Sequence, residues 1–335
     1  MKTLYFLGID VSKKNLDAAL TLDGKTFYQT ALINKFEAIE VWFEDLRKKF
    51  NFSNDQVVVC MEHTGIYCQP LLDFFFKYKM KVCLESALQI KKSQGITRGK
   101  NDRIDARRIS SYAVKNHADL KFWSPQRTCV QKLKSFLVTR DRLVKMKGQI
   151  TVPLNESEGF TDPSIRKAML KHCKKTLTAI QSDIKEIEKQ IIQLIRTDES
   201  LNAQYKIITS VPGVGLIVAC NFIVCTGEFK IITEPKKFAC YAGVAPFEHS
   251  SGSSIRGRTR VSRMANMTLK WLLHLAAMSA IQCSDEIRQF YERKVGEGKN
   301  KMSVLNAVRN KLISRIFSCI KNNREYEKHY QNALA

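Results

Sequence analysis

The usual signatures of zinc binding and disulfide stapling are missing from this sequence. Its ten cysteines include no CxxC pair, and no Cys/His cluster has metal-ligand spacing. Cys60, Cys68, Cys83, Cys129, Cys173, Cys220, Cys225, Cys240, Cys283 and Cys319 are scattered, most of them in apolar runs such as VVVCME and LIVACNFIVC. That is the pattern of buried thiols in a reducing cytoplasm. No apolar run reaches bilayer-spanning length, and the opening MKTLYFLGID reads as entering a strand directly, without a secretory leader. An intracellular protein that does not cross a membrane is expected. Acidic residues are also in deficit: 32 Asp+Glu face 55 Lys+Arg, a net charge of +23 with pI near 9.6. At 44% hydrophobic residues the chain is globular and not a basic tail, and every third of it is net positive. A basic surface spread over a whole folded chain points to nucleic acid as partner.

Against that deficit, four carboxylates stand in conspicuous places: Asp10 in GIDVSK, Glu62 in VVVCMEHTG, and Asp102 and Asp105 in RGKNDRIDARR. Residues 4–11, 15–22 and 25–33 read as three strands joined by short polar turns. A helix at about 35–49 follows, with Phe36, Ile39, Val41, Trp42 and Leu46 as its apolar positions. Then come the buried run 57–61, an apolar helix around 68–78 and a strand at 81–85. Three strands, helix, strand, helix, strand is the order of a ribonuclease H-like domain, in which the first strand ends beside the fourth. Asp10 and Glu62 then become neighbours. If residues 101–112 are helical, Asp102 and Asp105 share one face; helix capping is the plain alternative for either acid alone. Converging carboxylates repel unless a hard divalent cation holds them, so Mg²⁺ (or Mn²⁺) is expected. The bases Lys100, Arg103, Arg107 and Arg108 would frame the mouth of that cleft, the composition expected of an enzyme acting on phosphodiesters.

From 126 to about 198 the pattern changes to long helices broken by a loop at 153–163. Leu177, Ile180, Ile184, Ile187, Ile191 and Leu194 form an a/d seam. It serves an antiparallel hairpin acting as a spacer or as a subunit-pairing surface. The expected organisation is thus α/β plus α, with a RuvC-like domain (1–125), a coiled-coil hairpin (126–200) and a mainly helical domain (201–335). In the last, a PGVG turn resembles a helix-hairpin-helix whose Gly213 and Gly215 let backbone amides approach a phosphate. A compact helix with Phe238, Ala239 and Tyr241 leads into a Ser/Gly loop. Arg256, Arg258, Arg260 and Arg263 follow it, with no acid between Ser250 and Lys270. A long apolar helix through Leu269, Leu272, Leu273 and Leu275 comes next, and a basic helix over about 301–330 ends the pattern. His63 reads as a polar strand end, and Tyr67 and Trp123 as core residues, with metal assistance and base stacking as the alternatives.

GIDVSK, EHTG, KNDRIDARR, PGVG and APFEHSSGSSIRGRTRVS occur in order over nearly the whole chain. Together they resemble the DEDD-type transposases of insertion-sequence family one-hundred-and-ten. The resemblance implies a RuvC-like domain coupled to a C-terminal transposase domain with a serine nucleophile. It also implies guidance by a structured noncoding "bridge" RNA. Carried over by position, the four acids fall on Asp10, Glu62, Asp102 and Asp105. The nucleophile falls on Ser251, eleven residues ahead of Ser262, with Ser250 as a one-residue alternative and Ser253 and Ser254 as weaker ones. Val261-Ser262-Arg263-Met264 stands where many relatives have I-S-K-R-G, so a second glycine is absent. The implied partners are donor and target DNA, the guide RNA and further copies in a homodimer or homotetramer, with a composite site meeting across subunits.

A serine hydroxyl needs a base, a metal or a strong field to attack, and arginines at 256, 258 and 260 would place positive charge around a scissile phosphate. A flexible SSGSS linker is the plain alternative. Two rival classes remain open at this point. GIDVSK also suits the phosphate-binding first hairpin of actin/hexokinase-like ATPases, although no duplicated half with further glycine-rich loops is present. A Holliday-junction-type metal nuclease would need the acids but not Ser251.

Overall fold

The structure is a computed structural model describing residues 4–95, 102–251, 255–262 and 264–328; for 248–251 and 255–259 it describes the backbone alone. The chain divides into two compact units, Met1–Pro125 and Gln126–Ala335.

In the first unit, strands β1 (Tyr5–Val11), β2 (Asn15–Leu22) and β3 (Lys25–Ile33) form an antiparallel meander. Helix α1 (Phe36–Phe50) leads to β4 (Val57–Glu62), and α2 (Gln69–Lys77) to β5 (Lys81–Glu85). Helices α3 (Ala87–Ser93) and α4 (Asp102–Lys115) follow. The sheet order is β3-β2-β1-β4-β5, with β4 parallel to both β1 and β5. This is the ribonuclease H-like order the sequence predicts.

Period-two alternation makes both faces of β1 apolar. Leu7, Ile9 and Val11 join Ile39, Phe43 and Leu46 of α1 and Phe74 and Phe75 of α2 in one core layer. Phe6 turns to the other layer, with Ile109, Tyr112 and Ala113 of α4. Each fully buried side chain of this size contributes about 1.5–3 kcal/mol. The apolar stripe of α1 differs from the sequence reading at one position. Val41 is 66% exposed and Phe43 is buried in its place, because residues 39, 43 and 46 repeat at the helical period and residue 41 falls on the opposite side. Trp123 packs against this core as expected, its backbone N–H donating to the Val82 carbonyl at 2.7 Å. Tyr67 instead sits exposed in a short 3₁₀ turn after β4.

The second unit starts with two long helices, α5 (Thr128–Glu156) and α6 (Pro163–Thr197), tied by an Arg140–Glu188 ion pair at 2.7 Å. The connection is shorter than the sequence suggests. Pro153 lies inside the last turns of α5, where the Ser157 N–H still reaches the Pro153 carbonyl at 3.0 Å. Only residues 157–162 remain between the helices, and Asp162 caps α6 by accepting from the Ser164 and Ile165 amides. Of the α6 stripe, Ile180 and Ile191 are buried, while Leu177, Ile184, Ile187 and Leu194 are half-buried.

Helices α7 (Glu199–Thr209), α8 (Leu216–Thr226) and α9 (Pro235–Tyr241) precede a hairpin of β6 (Pro246–Ser251) and β7 (Ile255–Val261). Helices α10 (Met267–Cys283), α11 (Asp285–Gly296) and α12 (Lys301–Lys321) close the unit. The last helix stops well short of residue 330, at Lys321, with Asn322 as its cap. The core stacks Phe222, Phe238 and Phe317, with ring centroids 4.4 and 5.5 Å from Phe238, and it also takes in Val130 and Leu133 of α5 and Ile195 of α6. Arg127 pins the start of α5 by chelating Asp198 at 2.9 Å and the buried Glu228 at 2.6 Å. All ten cysteines are free thiols, and no described helix is long and apolar enough to cross a membrane.

Candidate active site

Glycine at position 8 decides where the acids meet. A Cβ there would lie 2.3 Å from the Ser110 backbone nitrogen and 2.4 Å from the Ala106 carbonyl oxygen. Helix α4 therefore lies with its backbone directly on β1, a closeness only a residue without a side chain permits. A buried hydrogen bond between the Thr21 and Ser110 hydroxyls (2.7 Å) and one from Gln29 Nε2 to the Arg103 carbonyl (3.0 Å) fix the helix further along. Its first turn carries Asp102 and Asp105.

Asp10 has the parity of Gly8 and Phe6, so it stands on the α4 side of the sheet. The β1–β4 register runs in parallel from Tyr5↔Val57 to Ile9↔Met61, and one step further it puts Asp10 beside Glu62. The crowding is felt electrostatically. Burial, aggravated by the charges of Asp102, Glu62, Asp105 and Asp17, pushes the Asp10 carboxyl up from 3.8 to about 6. Asp10 thus feels the charge of each of the other three acids expected from the sequence.

Two more carboxylates lie in the same neighbourhood, and sequence reading misses both. Asp17 is the direct cross-strand partner of Asp10, and its own carboxyl is raised by burial and by Asp102. Glu85 pairs with Glu62 across β4 and β5. A signal existed for each at the level of strand register: once β1 pairs with β2 through the short turn at 12–14, Asp17 has to face Asp10.

The donor set is entirely carboxylate oxygen, which suits Mg²⁺ or Mn²⁺. The mutual repulsion that raises the Asp10 carboxyl is also what a bound cation would relieve. The present spacing is looser than a closed ligand shell, since among the described residues no three His, Cys, Asp or Glu side chains stand close enough to enclose a metal. A bound cation would have to draw these side chains inward, and Asp105 would have to loosen its 2.9 Å ion pair with Arg108.

Of the flanking bases, Arg103 and Arg107 are exposed on α4. Arg107 and Arg108 line a small hollow of about 200 Å³ with Ser93 and Lys115. Lys100 lies outside the described residues. His63 is an exposed residue just past β4, its Nδ1 accepting from the Gly65 amide at 3.3 Å.

In the second unit the segment leading into the Ser/Gly stretch is a strand. Ser251 closes β6, paired with Ile255, and Ser250 pairs with Arg256; a register irregularity falls between Phe247 and His249. Arg256, Arg258 and Arg260 occupy alternate positions of β7, and Arg260 is exposed. Ser253, Ser254 and Arg263 lie outside the described residues. The PGVG turn separates its two glycines by role. Gly213, at φ +82°, is committed to helix packing, since a Cβ there would lie 2.5 Å from the Ala276 carbonyl oxygen. Gly215 is exposed at the start of α8, where no side chain caps the first turn. It opens onto a groove of about 860 Å³ with Lys134 and Arg142 of α5, Asn221 of α8 and the half-exposed Trp271 of α10. Asp141, Glu188 and apolar side chains such as Leu137 and Leu272 line the same groove.

Comparison with known proteins bears on both units. A family model for the DEDD transposase of IS110 elements matches residues 7–155, and the model described as transposase IS116/IS110/IS902 family matches residues 205–292. The pilin gene-inverting protein of Moraxella bovis is 25% identical over 334 residues, covering 96% of this chain and 98% of its own. An uncharacterized 43.6 kDa protein of the insertion element IS110 from Streptomyces coelicolor is 30% identical over 152 residues, covering 45% of this chain and 36% of its own. The transposase of insertion sequence element IS1111A from Coxiella burnetii is 24% identical over 198 residues, covering 52% and 53%. Among solved structures, T. thermophilus RuvC in complex with a Holliday junction substrate aligns with 36% of this chain and 99% of its own, at 11% identity and a TM-score of 0.29. The two family models follow one another along the chain, the first running from the first unit through nearly all of α5 and the second lying within the second unit, and the chain belongs to the IS116/IS110/IS902 family of DEDD transposases, enzymes that recombine DNA.

Proposed function

We propose that this transposase cuts and rejoins DNA by phosphodiester transfer to Ser251, assisted by a divalent cation at Asp10, Glu62, Asp102 and Asp105. The observation that carries the reading is the raised Asp10 carboxyl, crowded by the other three acids at the head of the β1–β4 pair. When bound, the cation supplies positive charge for a phosphate oxygen and for the leaving oxygen. The chain's own part is positional. Gly8 and the Thr21–Ser110 hydrogen bond hold α4 against the sheet, from where its two acids would turn toward a cation at Asp10.

In the transfer step the Ser251 oxygen forms a bond to phosphorus and one strand oxygen leaves. The serine proton goes to solvent or a base, and the departing oxygen takes one up. Bond energy is kept in the serine–DNA ester, so the reverse attack reseals a strand without an external energy source. Alternating arginines at 256, 258 and 260 would neutralise the phosphate during attack. The family resemblance carried by the sequence motifs is what supports a structured noncoding RNA as guide and a dimer or tetramer as the working form. The hairpin of residues 126–200 would be the arm between the domains 1–125 and 201–335.

Denaturing gels after incubation with cognate DNA test the chemistry. The account expects an SDS-resistant protein–DNA adduct, lost in Ser251→Ala and kept in Ser250→Ala. An adduct that persists in Ser251→Ala overturns the nucleophile, and loss only in Ser250→Ala moves it by one residue. A simple metal nuclease would leave cut DNA and no adduct. Recombination that proceeds unchanged without the noncoding segment flanking the gene would exclude the guide.

A further inference from the structure

Arg309 on α12 is only 6% exposed, yet among the described residues it has no carboxylate partner. Its Nη2 reaches the Nδ1 of His274 at 2.6 Å and its Nη1 the Asn306 Oδ1 at 3.4 Å, while its Nε has no partner at all. Neither α12, which carries it, nor α10, which carries His274, contains a single Asp or Glu. Burial accordingly pushes the guanidinium's pKa down, with no acid to push it back.

A buried charge satisfied only by neutral acceptors is costly unless an anion completes it in the working state. Arginine at such a place, with two or more N–H groups in a fixed fork, matches a phosphate better than lysine would. The surroundings locate it functionally. Asn306, which the guanidinium holds, donates from Nδ2 to the Val244 carbonyl at 2.8 Å, two residues before β6 begins. The neighbouring Gly243 turn lies against Lys270, whose Cδ would be 3.5 Å from a Cβ at 243, and against the Ser262 carbonyl at the end of β7. Arg309 and Lys270 thus flank the root of the β6–β7 hairpin. His274, in contact with the guanidinium, is itself only partly buried.

We propose that Arg309, screened by His274, is an anion site that takes a backbone phosphate of bound nucleic acid at the root of the β6–β7 hairpin. The incoming oxygen replaces the imidazole at Nη2, and Asn306 transmits the occupancy to the Val244 carbonyl. The inference rests only on the chain binding nucleic acid. It stands or falls separately from serine chemistry and from RNA guidance, because a binding measurement needs neither.

The test uses the full chain, with Arg309→Met and Arg309→Lys. Binding of a duplex oligonucleotide is measured over a range of salt concentrations, and melting is followed with and without inorganic phosphate against chloride at matched ionic strength. Arg309→Met is expected to melt no lower than wild type in chloride, because an uncompensated charge is gone. It should bind the duplex roughly tenfold more weakly, with the salt slope of log affinity reduced by about one. Arg309→Lys, which keeps the charge without the fork, should fall between the two. An Arg309→Met protein that melts several degrees lower and keeps the wild-type salt slope would make Arg309 a structural residue and overturn the proposal. Should that variant not fold, an Arg309→Lys protein with wild-type affinity and slope overturns it equally. Loss of phosphate-induced stabilisation with an unchanged duplex slope would assign the site to free anions and reject the nucleic-acid reading.

Discussion

The missing Cβ of Gly8 would fall 2.3 Å from the backbone nitrogen of Ser110, more than a hundred residues further along the chain. That single relationship sets the depth at which the α4 backbone sits on the sheet. Gly8→Ala must lift the helix or bend the strand. A loss of about 1–3 kcal/mol is expected from overpacking, read as a lower melting temperature. Activity should fall further than stability, because displacing α4 withdraws two of the acids. A variant of wild-type stability and activity would show that α4 is free to shift.

Asp10 predicts a pH dependence. Its folded carboxyl lies at about 6 against 3.8 for an unperturbed one, so between those values the folded chain binds the proton more tightly than the unfolded chain. Its contribution to stability is therefore fully present below pH 4, is lost as pH rises through 6, and stays lost at neutral pH. In chelator, the melting temperature of wild type relative to Asp10→Asn should drop between pH 4.5 and 7. With millimolar Mg²⁺ that drop should shrink, since a cation offsets the same repulsion. A wild-type minus variant difference that does not change with pH would contradict the crowding.

Gly213 and Gly215 should respond differently to the same substitution. At φ +82°, and 2.5 Å from the Ala276 oxygen, position 213 has no room for a methyl group. Gly213→Ala is expected to cost at least about 1 kcal/mol. Position 215 has φ −102° with nothing within 4 Å of a Cβ, so Gly215→Ala should leave melting unchanged. Equal melting temperatures would refute this division of roles.

Much of the fold is legible in the sequence because its signals are local. Alternation marks β1 to β3, the run Val57–Met61 marks a strand buried on both faces, and the a/d stripe marks α6. Helix phase is less secure when apolar residues cluster, which is why Val41 reads as buried while Phe43 takes the core position. Pro153 reads as a breaker, yet α5 continues past it to Glu156. At the site, three of the four acids sit at recognisable ends of elements, whereas Asp17 and Glu85 become neighbours only through strand register. Arg309 is invisible for a different reason: a basic residue in a basic helix carries no sign that it points inward.

The most direct measurement is Mn²⁺ binding, followed by electron paramagnetic resonance, to wild type and to Asp10→Asn and Asp102→Asn. The account predicts saturable binding by wild type at the acid cluster, severely weakened in both variants, with DNA affinity in chelator left largely intact. Equal Mn²⁺ binding by all three proteins would contradict it.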